Sequence, residues 1–69
     1  MTTDELRLHL THLINCYVTD QATRTRLLGL VARSDIPAKG ILAELDPFLS
    51  GAISQADAKT VKEIAFYFS

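Results

Sequence analysis

The sequence predicts an all-α fold: a compact bundle of about four short helices plus one short helical turn. Three observations predict it. Apolar residues recur at helical spacing in four separate stretches. Two of those stretches open on capping-box signatures, Thr2-x-x-Glu5 and Ser54-x-x-Asp57. Two further boundaries carry the cap-then-proline signal, at Asp35-Ile36-Pro37 and at Asp46-Pro47.

The first helix starts from Thr2 as N-cap, with Asp4 and Glu5 at the positive end of the helix dipole. Leu6, Leu10, Leu13, Ile14 and Tyr17 then form one stripe, and the helix is expected to run to about Val18. Thr19 and Asp20 mark a boundary, one of them capping the next helix. That second helix is expected from Gln21 to Arg33. Its apolar arc of Leu27, Leu28, Leu30, Val31 and Ala32 is broad, so it is predicted to be the central helix.

Pro37 ends that run and opens a third helix to about Leu45, with Ala38, Ile41, Leu42 and Leu45 on one side. Gly40 inside it implies either a closely approaching neighbour or a locally soft helix. Asp46-Pro47 is predicted to start a separate short turn holding Phe48 and Leu49, closed by Gly51. The last helix spans about Gln55 to Phe68, with Ala58, Val61, Ile64, Ala65 and Phe68 inward. A terminal strand over Ile64–Phe68 is the alternative, but the stretch lacks alternation and has no partner strand.

With 69 residues the chain, residues 1–69, is one helical domain. Apolar residues at 48% and charged residues at 22% give an ordinary globular balance. A domain near this size buries only about 60% of the surface its unfolded chain exposes. The single cysteine, Cys16, rules out an intrachain disulfide, so self-association as a homodimer is predicted to complete the core. The chain starts at Met1 and reads as a whole gene product. Asp4 and Glu5 occupy the place of a secretory signal's basic start, and no apolar run approaches membrane-spanning length. A reducing, cytoplasmic setting is expected.

Three surfaces carry functional expectations. The first is the C-terminal end, where Phe66 shares a side with Lys59 and Lys62, and Tyr67 lies near Glu63 and Thr60. Aromatics on a polar face are interface anchors, and Leu8, opposite the main stripe of its helix, joins Phe66, Tyr67 and Phe68 as a candidate partner or dimer contact. The structural alternative is that the aromatics close the bottom of the core. The second is the face of His9, His12 and Cys16, at i, i+3 and i+7. Imidazole and thiolate are zinc ligands, but no second ligand pair exists in the chain, so a metal would need two chains. The third is helix-turn-helix character in the middle of the chain, with Arg24, Arg26, Arg33 and Lys39 as candidate DNA contacts. Against it stand a net charge of −1, a pI near 6.0 and a candidate recognition helix poor in polar readers.

Enzymatic activity finds no support and no cofactor is expected. Gly29, Gly40 and Gly51 are isolated, so no phosphate loop exists. Cys16 and His12 are neighbours on one helix, with no orienting acid that sequence can place beside them. Ser34-Asp35 reverses the Asp-Ser order of a carrier-protein attachment site. The expected function is a small non-enzymatic interaction protein: a regulator, adaptor or inhibitor of the size that phages and mobile elements encode. It would pair with itself and occlude another protein.

Overall fold

A computed structural model describes residues 1–68 of the chain. It is all-helical: α1 is Thr3–Tyr17, α2 Gln21–Val31, α3 Ala38–Leu49 and α4 Gln55–Phe68. The N-terminal capping box is complete. Thr2 Oγ1 accepts the Glu5 amide at 3.1 Å, and Glu5 Oε1 accepts the Thr2 amide at 2.9 Å. Of the two candidate caps for α2, Asp20 makes the bond, accepting the Thr23 amide at 2.7 Å.

Two boundaries differ from the sequence reading. α2 stops at Val31, not Arg33. The reason lies on α1: Arg7 donates from Nε to the Val31 carbonyl and from Nη2 to the Arg33 carbonyl, each at 3.1 Å. These terminal carbonyls are satisfied by a side chain from outside, so the helix has no need of another turn. The arrangement is reciprocal. Arg24 of α2 donates to the carbonyl of Val18, the C-cap of α1, at 2.9 and 3.3 Å. Neither helix carries a basic residue in its own last turn, and each receives one from its antiparallel neighbour.

The second correction concerns the predicted turn at Asp46-Pro47. No separate element exists there, because α3 runs through Pro47 to Leu49. Ala38, Ile41, Leu45 and Leu49 are all buried and form one unbroken stripe. Burying Leu49 in register with Leu45 outweighs the one backbone bond that proline cannot donate. The chain turns instead at Gly51, whose φ of 80° is the left-handed conformation glycine adopts freely. Gly40 needs no close neighbour: a Cβ there would meet nothing within 4 Å.

The core unites Leu6, Leu10, Leu13, Ile14 and Val18 with Leu27 and Val31, the α3 stripe, and Ile64. The expectation that the second helix is central is also corrected. α1 packs on all three other helices, and α3 packs on α4. In α2 only Leu27 and Val31 are buried, Leu28 and Leu30 are half-buried, and Ala32 is exposed. The first turns of α2 are polar, which leaves it too short an apolar face to sit in the middle. The surface area of 4364 Å² is close to the ~4300 Å² expected for a monomer of this mass. Self-association is therefore not demanded by an unusually open core and has to be argued from a particular face.

Pro47→Ala tests the continuity of α3. A helix-interior proline costs about 3 kcal/mol against alanine, and proline's restraint on the unfolded chain returns about 1 kcal/mol of that. The variant is expected to raise the unfolding free energy by about 2 kcal/mol in urea titrations. A loss of stability would mean that proline starts a turn here instead of interrupting a helix.

Candidate functional site

The helical spacing puts His12 and Cys16 on consecutive turns of α1, and the fold adds a residue the sequence could not place. His12 Nε2 donates to Asp57 Oδ1 on α4 at 3.1 Å. A carboxylate only accepts, so Nε2 carries the proton. Tyr17 Oη donates to Asp57 Oδ2 at 2.5 Å and accepts the Ser54 amide at 3.2 Å. Ser54 Oγ accepts the Asp57 amide at 3.1 Å. The Ser54–Asp57 capping box is thus half intramolecular to α4. Asp57 turns its carboxylate to α1, and the Tyr17 hydroxyl takes the amide that a Glu side chain would have taken.

This network holds the Asp57 carboxyl below its ordinary pKa of 3.8, first through the Tyr17 hydroxyl, with Ser54 and His12 adding to it against partial burial. The grouping of Cys16, His12 and Asp57 resembles a nucleophile, base and orienting acid in composition only. Cys16 Sγ lies 3.6 Å from His12 Nδ1 and 3.9 Å from Nε2. Both distances fall at the long end of sulfur hydrogen bonds, and the sulfur is not clearly directed at one nitrogen as a thiol donating to its base would be. His9 is half-buried and takes no part in this network. Among the described residues no three His, Cys, Asp or Glu side chains converge as a metal site needs.

The basic residues of the middle region are bonded within the chain. Arg26 grips Glu44 with both Nη atoms, at 2.9 and 2.6 Å, tying α2 to α3. The Arg26 guanidinium holds the Glu44 carboxyl below its usual range. Arg33 bonds Asp35 at 3.2 and 3.1 Å, and Arg24 caps α1 as described. Lys39 is exposed. Arg7, unremarked in the sequence reading, is the cap of α2. Its signal was available: a cation on the polar flank of a helix whose neighbour ends without one.

Among the described residues the large apolar side chains that are exposed are Leu8, Phe66 and Tyr67, at 72%, 77% and 57% of full exposure. Phe66 and Tyr67 pack edge to face, their ring centroids 5.2 Å apart and their planes at 88°. Phe68 differs from them: it is half-buried and packs on the core. Leu8 stands in a shallow depression with Asp4, Arg7, Thr11 and His12, all on α1. A groove of about 500 Å³ runs between α3 and α4, floored by Leu42, Ala43, Val61, Ile64, Ala65 and Phe68 and ending at Lys39 and Asp46.

No protein-family model, curated protein or solved structure matches the chain.

The Tyr17–Asp57 bond predicts a pH dependence. The folded pKa of Asp57 is depressed, so its contribution is complete above the unfolded value and is lost as pH falls through the folded one. Tyr17→Phe is expected to lower the urea midpoint clearly at neutral pH. The gap between wild type and variant should narrow below pH 3.8, the carboxylate's ordinary value. A gap that is constant with pH would show that the hydroxyl does not act through the carboxylate.

Proposed function

We propose that the chain is a non-enzymatic interaction protein, a regulator, adaptor or inhibitor of the cytoplasm, that pairs with itself and occludes the surface of another protein. The observation that carries this reading is the pair Phe66 and Tyr67. They are adjacent, braced against each other and largely exposed at the end of α4. Large rigid aromatics lose little conformational freedom on binding and are enriched as interface anchors. Leu8 offers a further apolar contact on α1. Phe68 supports the anchor from below, since it packs on the core and ties the last turn of α4 down.

Two further observations support the reading against its rivals. Arg24, Arg26 and Arg33 are engaged with a carbonyl or carboxylates of the chain itself. Reading a DNA backbone with them would require breaking those bonds, so DNA binding is the weaker alternative. Cys16 Sγ lies 3.6 Å from His12 Nδ1 and 3.9 Å from Nε2, long contacts shared between the two nitrogens, which supports a packing role over that of an activated nucleophile. Among the described residues no helix is long and apolar enough to cross a membrane.

The double variant Phe66→Ala with Tyr67→Ala tests the proposal. Both side chains are exposed, so the change in stability should be about 1 kcal/mol or less, with the helical circular dichroism retained. Proteins crosslinked to the wild-type chain in its own cells should be lost from the variant. An unfolded variant would make the aromatics core residues, and a variant that keeps the same crosslinked proteins would remove them from the partner surface. A duplex shift at low salt that disappears steeply as salt rises would favour the DNA reading instead.

A further inference from the structure

We infer that the groove between α3 and α4 is the face on which a second copy of this chain seats, with the two α3 helices antiparallel across a two-fold axis. The inference rests on the proposed self-pairing and names the surface that performs it, which is not the exposed Phe66–Tyr67 pair of α4.

The argument starts from charge. The groove is apolar along its length and carries one cation and one anion at its ends, Lys39 and Asp46. The two are seven residues apart on α3, two helical turns, or about 10.5 Å along one face. A two-fold axis through the middle of that face, between Leu42 and Ala43, brings Lys39 over the partner's Asp46 and Asp46 over the partner's Lys39. A surface with opposite charges at its two ends is self-complementary under that operation. The same surface meeting a parallel copy would set like charge against like.

Both charges are also misplaced for the helix that bears them. Lys39 lies in the first turn of α3, where the helix dipole repels a cation, and Asp46 lies in the last turns, where it repels an anion. Neither belongs to an ion pair among the described residues, whereas Arg7, Arg26 and Arg33 all do. An antiparallel copy reverses the dipole and supplies both missing counter-charges. Between the ends, Ala43 and Ala65 are small enough for two helices to approach closely, and Leu42, Val61 and Phe68 are half-buried residues with apolar surface left to cover. Lys62 lines the adjoining depression beside Asp46 and lies off this face.

A charge-swap cycle on the full chain, read by sedimentation equilibrium over a concentration series, tests the inference. The wild type should dimerise. Lys39→Glu and Asp46→Lys each turn two attractive pairs into two repulsive ones, and each should weaken dimerisation on the order of tenfold. Mixing the two single variants should restore a heterodimer, because the introduced Glu then meets the introduced Lys at one end and the retained Asp46 meets the retained Lys39 at the other. The double variant should restore the homodimer. Ala43→Arg should abolish the dimer at any charge pattern. All three positions are exposed, and circular dichroism checks that each variant folds.

A chain monomeric at every concentration overturns both the inference and the self-pairing on which it rests. A dimer that ignores the swaps and dissociates with Phe66→Ala and Tyr67→Ala overturns the groove alone and moves self-pairing to the aromatic end. Loss of the dimer in both single variants with no rescue by mixing also overturns it, since the charges would then not face each other.

Discussion

Every other helix of this protein is held by the buried face of α1. Leu6, Leu10, Leu13 and Ile14, with Val18 just beyond, meet residues from all three other helices. A chain this short has room for one layer of core, so one helix has to serve as the wall common to the rest. The helix that does so has the longest uninterrupted apolar stripe. α4 is the least deeply seated helix and leans on α3 more than on α1: Ile64 is its one buried residue, and its other inward residues are half-buried or exposed.

Polar bonds compensate where the apolar contact is thin. The α1–α4 seam is fastened by Tyr17, Asp57, Ser54 and His12. The α1–α2 seam carries two reciprocal arginine caps, and the α2–α3 seam carries the Arg26–Glu44 pair. No buried side-chain nitrogen or oxygen among the described residues lacks a partner. Several residues that look functional in the sequence are thus accounted for by architecture. Arg24 and Arg26 hold helices together, and His12 positions a carboxylate. The surface that remains unexplained by folding is therefore small. It consists of the aromatic end of α4, Leu8 on α1, and the groove between α3 and α4.

These surfaces differ in kind. The aromatic pair projects, braced by its own edge-to-face contact and by the anchored last turn of α4. The groove is concave and flanked by two charges that α3 itself disfavours. A projecting pair of rings is suited in shape to a recess, which is the proposed role of Phe66 and Tyr67, whereas a groove of opposite-ended charge is self-complementary, which is the basis of the proposed pairing. On the proposed reading, one small chain would pair with itself on one side and leave another side free.

How much was legible in the sequence depends on how far apart the interacting residues lie. The Thr2–Glu5 box, the Asp20 cap and the stripe on α1 involve residues within a few positions of one another, and helix geometry alone makes them meet. The fold class and the span of α4 were legible for the same reason. The break assigned at Asp46-Pro47 was a local signal too, but its strength could be judged only against the burial of Leu49, which depends on what packs there. The identity of the central helix was likewise a comparison between faces and not a property of one of them. Tyr17 and Asp57 are 40 residues apart and Arg26 and Glu44 are 18 apart. Nothing in helical periodicity brings either pair together. Sequence by itself determined where helices form and which side of each is apolar, because those follow from contacts within one or two turns. Tertiary structure decided which helix the others share, which charges are consumed in holding them, and which apolar residues are left facing outward. Those outcomes depend on the docking of faces, and docking is set by the whole chain at once.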